Sequence, residues 1–212
     1  MTIRYFDMFA GIGGFRSGLE AIGGFECIGY CEIDKYAKQA YDAIYDTGGE
    51  LYFDDARKIV PEQLPDFDII TGGFPCQSFS QAGKRRGFAD SRGTLFFEIA
   101  RIAAVKKPKY LLLENVPGLL SHDSGRTFAA ILGSLDELGY DVTWQVLNSA
   151  DHHVAQSRKR VYIVGFLREK CSGRVLSFTE MNPIKVHPKK FYSTFCGSRM
   201  FLFSASPFSR NL

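Results

Sequence analysis

The stretch that decides the fold is IRYFDMFAGIGGFRSGLEAIG, residues 3–23. Its apolar opening predicts a buried strand, and residues 13–23 predict a helix with Phe15, Leu19 and Ile22 on one face. Glycines separate the two elements. The same alternation of strand and helix recurs as far as Leu167. It predicts an α/β protein with a doubly wound, mostly parallel sheet, in which ligands bind beyond the carboxyl ends of the strands.

The remaining pattern divides the chain into two parts. Strands are predicted at residues 27–33, 50–53, 66–71, 109–116, 140–148 and 160–167, and helices at 35–45, 94–105 and 125–139. The last predicted strand is antiparallel. The pattern ends after residue 167, and residues 168–212 contain eight basic and only two acidic residues. We therefore predict a folded domain at 1–167 and an irregular basic tail at 168–212.

Composition restricts the class of protein. A hydrophobic fraction of 45% and a charged fraction of 23% are typical of a soluble globular protein. The start, MTIRYFDMF, lacks the pattern of a signal peptide, and no window reaches the roughly 18 apolar residues of a membrane helix, so we expect an intracellular protein without a membrane partner. The five cysteines form no CxxC pair, which argues against a zinc site or a disulfide framework.

Glycines after one predicted strand and an acid after the next indicate a cofactor site. Gly11 and Gly13 follow the first strand, where glycine allows the backbone to approach a ligand closely. Glu32 follows the second strand, where an acid commonly binds ribose hydroxyls, whereas Asp34 is placed to cap the next helix. Asp54 or Asp55 could accept a hydrogen bond from an adenine amine. The pattern predicts an adenosine-containing cofactor, either a nicotinamide dinucleotide or S-adenosylmethionine.

A lone cysteine follows the fourth strand, in GGFPCQSFSQAGKRRGF at residues 72–88. A single cysteine beside an apolar run is usually a small core residue. Here Pro75 stiffens the approach to Cys76, and the polar, basic segment 77–93 suits closure over an anionic polymer. The nearby cations would also favour the nucleophilic thiolate.

Charged residues adjoin the last two buried strands. Glu114 ends LLLENVPG and is either a capping or salt-bridged acid, or a group that shares a proton with a substrate. The cluster QSRKR at residues 156–160 leads into the final strand, which places Arg158 and Arg160 on one side and Lys159 on the other. Taken alone, such a cluster is most often a solvated face.

Four of these segments resemble the motifs of DNA cytosine-5 methyltransferases and occur in that family's order. They are DMFAGIGGF, GGFPCQSFS, LLLENVPGL and QSRKRVYIVGF. The resemblance covers residues 4–166, and the set of motifs is specific. It implies a Rossmann-like, S-adenosylmethionine-dependent catalytic domain at 1–167. It also implies methyl transfer from S-adenosylmethionine to C5 of cytosine in double-stranded DNA, within a cytoplasmic restriction-modification system whose enzyme is nucleoid-associated when bound to DNA.

The resemblance assigns a role to each matching residue. Cys76 would attack C6 of cytosine, Glu114 would contact N3, and Arg158 and Arg160 would hold the base's carbonyl. No metal is implied. The residues that it assigns to the cofactor are Phe9, Gly11, Gly13, Glu32, Ile33, Asp55, Pro75 and Leu95.

Two departures from the family pattern shape the expected activity. Neither a target-recognition region nor the final Gly-Asn-x-Val segment is found, so the tail is read as disordered or as a vestige of that region. We expect a truncated or split enzyme with weak or absent activity on its own, whose missing part a second chain could supply. Three alternatives stay open: a Rossmann oxidoreductase with a structural Cys76, a non-catalytic DNA-binding subunit, and a tRNA cytosine-5 methyltransferase of the same family.

Overall fold

The computed structural model describes residues 2–75, 95–152 and 154–171, together with the backbone of two short strands between residues 193 and 202. Cys76, the basic segment 77–93 and most of the tail therefore lie outside the described residues. The strands are β1 (Ile3–Met8), β2 (Phe25–Cys31), β3 (Leu51–Phe53), β4 (Ile69–Gly73), β5 (Tyr110–Asn115), β6 (Tyr140–Asn148), β7 (Lys159–Leu167), β8 (Ser193–Cys196) and β9 (Arg199–Leu202). The helices are α1 (Gly14–Ile22), α2 (Lys35–Ile44), α3 (Leu95–Lys106) and α4 (Arg126–Glu137).

The strands form one sheet in the order β3-β2-β1-β4-β5-β7-β6-β8-β9. The first five strands in this order are parallel, and β7 pairs antiparallel with both β5 and β6. The chain runs outward from β1 to β3 and then crosses back to β4. The order of the strands therefore reverses between β1 and β4, which is where doubly wound sheets open a ligand crevice at their carboxyl edge.

The two faces of the sheet are packed unequally. One face carries the larger core, in which α3 and α4 bury residues such as Phe96, Ile99 and Ile131 against β4 and β5. The other face carries a smaller cluster of Tyr5, Leu19 and Ile69 beside α1. Because both faces of β1 and β4 are covered, these strands are nearly continuous apolar runs, as the sequence pattern indicated.

Most predicted elements are confirmed, and one detail is wrong. The α/β class, the mostly parallel sheet, the short third strand and the antiparallel β7 agree with the prediction. Asp34 caps α2 by accepting hydrogen bonds from the amides of residues 36 and 37, both at 2.8 Å. Ile22, however, is 76% exposed, and α1 buries Arg16 together with Leu19 instead. The helix ends at Ile22, and the amide of its C-cap Gly23 donates to the carbonyl oxygen of Leu19.

Candidate active site

Four adjacent strands carry the predicted site to one edge of the sheet. In sheet order, the glycine turn follows β1, Phe74 and Pro75 follow β4, and Glu114 lies near the end of β5. Arg160 lies at the start of β7, which is antiparallel and therefore begins at this same edge. Segments that are up to 150 residues apart in the sequence are thus neighbours in the fold.

The turn after β1 has a backbone that few residues adopt. Phe9, Gly11 and Gly13 have φ values of +54°, +57° and +88°. Glycine enters this left-handed region freely, but a bulky residue such as Phe9 is strained by about 1–3 kcal/mol. Phe9 is held in place because its ring packs against the main core. Strain of this kind persists where the surroundings enforce it, which is common in segments that hold ligands.

Glu32 connects the end of β2 to this turn. Its Oε2 accepts a hydrogen bond from the amide of Gly11 at 2.7 Å, and its Oε1 accepts one from the amide of Asp34 at 2.7 Å. Each carboxylate oxygen can accept a further bond, so ribose hydroxyls can bind without displacing either amide. Ile33 beside it is 72% exposed, and an added Cβ at Gly11 would meet no described atom within 4 Å. The open side of the turn therefore has room for a ligand.

The weaker cofactor assignments lie further along the same edge. Asp55 accepts a hydrogen bond from the amide of Arg57 at 3.0 Å and pairs with its guanidinium at 2.7 Å. These bonds lower the pKa of Asp55 to about 2. Its contacts are thus those of a local cap, while Lys58 pairs with Asp54. Leu95 is the first residue of α3 and is half-buried.

Asn115 anchors the approach to Cys76. Its Nδ2 donates to the carbonyl oxygen of Phe74 at 2.7 Å, and its Oδ1 accepts from the amide of Val116 at 2.8 Å. Asn115 and Phe74 are both buried, and the Phe74 ring lies 5.4 Å from that of Phe96 on α3. The backbone that leads to the exposed Pro75 is therefore attached to both β5 and α3.

Glu114 and Arg160 form an ion pair at the same edge. Arg160 Nε lies 2.6 Å from Glu114 Oε1, and the two side chains are 20% and 23% exposed. An added Cβ at Gly73, the neighbour of Glu114 on β4, would lie 3.2 Å from Glu114 Oε2, so glycine leaves space for the carboxylate. Among the described residues, no ion pair joins Arg158 to Glu114. Arg158 is exposed just before β7, and its amide donates to Ser149 Oγ at 3.0 Å.

A buried acid below the turn was not singled out from the sequence. Asp7 on β1 is 1% exposed and accepts hydrogen bonds from Thr71 Oγ1 at 2.6 Å and Tyr41 Oη at 3.3 Å. Burial raises the pKa of Asp7 to about 6, although both hydrogen bonds favour the charged form. The signal in the sequence is an acid inside the apolar run IRYFDMF, which requires a buried partner.

The sequence pattern of the C-5 cytosine-specific DNA methylase family matches residues 3–195, nearly the whole chain. The chain belongs to this family. The enzymes of this family depend on S-adenosylmethionine, the second of the two cofactors that the sequence predicted. The nicotinamide alternative is therefore set aside.

Two relatives support the family assignment, and a solved structure shares the fold. The chain is 50% identical over 165 residues to the Type II methyltransferase M.NlaX of Neisseria lactamica, covering 77% of this chain and 52% of that protein. It is 52% identical over 160 residues to the Type II methyltransferase M.NgoBI of Neisseria gonorrhoeae, covering 76% and 49%. The fold is that of the S. pombe Dnmt2 methyltransferase, with a TM-score of 0.65, 22% identity and coverage of 82% and 52%. The chain thus spans about half the length of these relatives.

The part of the chain that the structure describes contains neither a helix able to span a membrane nor a candidate metal site. None of its described helices is long and apolar enough to cross a membrane. Within the same described residues, no group of three or more His, Cys, Asp or Glu side chains could hold a metal ion.

Proposed function

We propose that this chain carries the cofactor-binding and catalytic residues of a DNA cytosine-5 methyltransferase of a restriction-modification system. One observation carries the proposal: the cofactor turn, the approach to Cys76, Glu114 and Arg160 follow one another on four adjacent strands at one edge. Phe9, Gly11, Gly13, Glu32 and Ile33 would hold S-adenosylmethionine, which supplies the methyl group when it is bound. We place the protein in the cytoplasm, on the nucleoid when bound to DNA.

The proposed reaction begins with Cys76. Its thiolate adds to C6 of a cytosine that has left the duplex stack, forming an S–C6 bond and moving the C5–C6 π electrons towards C5 and N3. Glu114 donates a proton to N3 as negative charge develops there. C5 would then form a bond to the methyl group while the bond from that group to the sulfonium sulfur of S-adenosylmethionine breaks, which releases S-adenosylhomocysteine, and N3 returns its proton to Glu114. Loss of the C5 proton to a base and departure of the Cys76 thiolate restore the C5–C6 double bond.

The ion pair supports this chemistry. Arg160 holds Glu114 through Nε, and its Nη1 donates to the carbonyl of Lys159 at 2.7 Å. The guanidinium has five N–H donors, so it can also bind the carbonyl oxygen of the base. Arg158 is exposed at the same edge and would order the base from the solvent side.

The test is covalent trapping on DNA in which 5-fluorocytosine replaces cytosine. S-Adenosylmethionine is present in the reaction. After methyl transfer, fluorine cannot leave C5 as the proton does, so the adduct accumulates and mass spectrometry locates its cysteine. We expect an adduct at Cys76 that is lost in Cys76→Ala and retained in Cys171→Ala, a change of a half-buried thiol at the opposite edge. A calorimetric titration with S-adenosylmethionine runs in parallel.

Each result has a defined meaning. An adduct that persists in Cys76→Ala would refute the nucleophile. Binding of S-adenosylmethionine without any adduct would refute catalysis by this chain alone. Trapping on fluorinated tRNA but not on DNA would support the tRNA methyltransferase instead. Salt-sensitive DNA binding, with no adduct on DNA or on tRNA, would support a non-catalytic subunit.

A further inference from the structure

A buried arginine lies on α1, the helix that directly follows the glycine turn. Arg16 on α1 is 4% exposed and forms ion pairs with Glu20 at 2.7 Å and Glu50 at 2.8 Å. It also donates to the carbonyl of Asp46 at 3.1 Å and to Tyr41 Oη at 3.4 Å. A buried guanidinium is tolerated only when its donors are paired, so these contacts fix α1 to the end of α2 and the loop beyond it.

Tyr45 joins this arginine to the turn. Its ring centroid lies 4.5 Å from Arg16 Cζ, and its hydroxyl donates to the carbonyl oxygen of Gly13 at 2.8 Å. The same carbonyl accepts the amide of Ser17 at 2.8 Å, so Gly13 is held both by its own helix and by Tyr45. An added Cβ at Gly13 would lie 2.3 Å from Tyr45 Cε2. The ring therefore fills the space into which the turn could otherwise relax.

The network continues to the strand that leads to Cys76. Tyr41 packs beside Tyr45, with ring centroids 4.9 Å apart, and its hydroxyl donates to Asp7. Asp7 in turn accepts from Thr71, which lies on β4 three residues before Phe74. The contacts that hold the cofactor turn are thus continuous with those that hold the strand bearing the proposed nucleophile.

We propose that Tyr45 is a positioning residue for S-adenosylmethionine, acting through Gly13 and held in place by Arg16. The inference rests on the proposed function, since it assumes that the turn binds this cofactor. Tyr45 does not need to contact the cofactor. It selects the left-handed conformation at Gly13, so the free protein already has the bound shape and loses less freedom on binding.

The test compares two tyrosines that each donate to a backbone carbonyl. Tyr45→Phe removes the bond to Gly13, and Tyr140→Phe removes a 2.7 Å bond to Pro108 at the opposite edge of the sheet. Both variants keep the ring and should lose similar stability. We expect Tyr45→Phe alone to raise the Kd for S-adenosylmethionine by about two- to tenfold, the worth of one hydrogen bond.

Amide hydrogen exchange without ligand separates this inference from the proposed function. We expect faster exchange in the peptide covering residues 10–14 for Tyr45→Phe, and wild-type rates there for Tyr140→Phe. Unchanged exchange in Tyr45→Phe, or equal Kd values for the two variants, would overturn the positioning role. If the wild-type chain binds no S-adenosylmethionine, the proposed function fails, and the exchange rates then decide whether Tyr45 orders the turn.

Discussion

Gly11 and Gly13 offer a matched pair of substitutions, because both have positive φ but differ in the space around them. Replacing either with alanine places a Cβ in the left-handed region, which costs about 1–2 kcal/mol. At Gly11 the added carbon meets no described atom within 4 Å. At Gly13 it meets three atoms of Tyr45 at 2.3–2.8 Å, so the ring must move.

The structure sets the expected difference between the two variants. Displacing a packed ring costs about 1–3 kcal/mol, and losing the 2.8 Å bond from Tyr45 to Gly13 costs about 0.5–1.5 kcal/mol more. Gly13→Ala should therefore lose about 1.5–4.5 kcal/mol more than Gly11→Ala. In urea denaturation followed by circular dichroism, this corresponds to a midpoint lower by about 1–2 M. The effect of Gly11→Ala on cofactor binding has a different origin. Its added Cβ should obstruct the cofactor directly and so weaken binding, although Gly11→Ala should remain the more stable of the two variants.

A third variant identifies the source of the difference. Tyr45→Leu removes the ring atoms that the new Cβ would meet, so Gly13→Ala in that background should cost only as much as Gly11→Ala. The coupling between the two sites should equal the difference between the two alanine variants, about 1.5–4.5 kcal/mol. Equal midpoints for the two alanine variants in the otherwise wild-type chain, or a gap that survives Tyr45→Leu, would show that Tyr45 does not confine the turn.

Three further predictions concern the acids and amides at the same edge. The folded state keeps a proton on Asp7 between the ordinary aspartate pKa of 3.8 and its raised pKa of about 6, so stability should fall by about 3 kcal/mol as pH rises through this window. Urea midpoints at pH 4 and 7.5 should show this slope in the wild type and a flatter one in Asp7→Asn; parallel slopes would contradict it. Asn115→Ala should cost about 1–3 kcal/mol in urea denaturation, because it leaves the buried carbonyl of Phe74 unpaired, and a cost below about 0.5 kcal/mol would argue against the anchor. Arg160→Met should destabilise the chain by about 1–3 kcal/mol by leaving Glu114 unpaired, whereas the exposed Arg158→Met should stay within about 0.5 kcal/mol, and equal losses would refute the pairing.

The elements of this fold are predictable because they follow from local periodicity. Continuous apolar runs marked β1 and β5, and an acid followed by a helical pattern marked the cap at Asp34. The edge of the sheet on which the site lies also follows, since parallel strands end together. Local rules of this kind require no knowledge of which distant residues meet.

The contacts inside the site could not be read in the same way. The helical period placed Ile22 on the buried face, but α1 buries Arg16 because Glu50 and the carbonyl of Asp46 pair with it from a loop some 30 residues away. Nothing near Arg16 in the sequence marks these partners. The left-handed Phe9 is similar, since its conformation is enforced by packing against the core. The ion-pair partner of Glu114 is equally distant, because Arg160 lies 46 residues later in the sequence.

Asp7 lies on the pair of strands at which the order of the sheet reverses. The strand order reverses between β1 and β4, so the crevice that would receive the methyl donor on one side and Cys76 on the other opens above these two strands. Asp7 and Thr71 are register partners directly below that opening, and their 2.6 Å hydrogen bond crosses it. Unlike an apolar contact, this hydrogen bond is directional, and it links the strand that precedes the glycine turn to β4, the strand that leads to Cys76. Burial of Asp7 at this position raises the pKa of its carboxyl group. The hydrogen bonds from the Tyr41 and Thr71 hydroxyls oppose that rise because they favour the charged form.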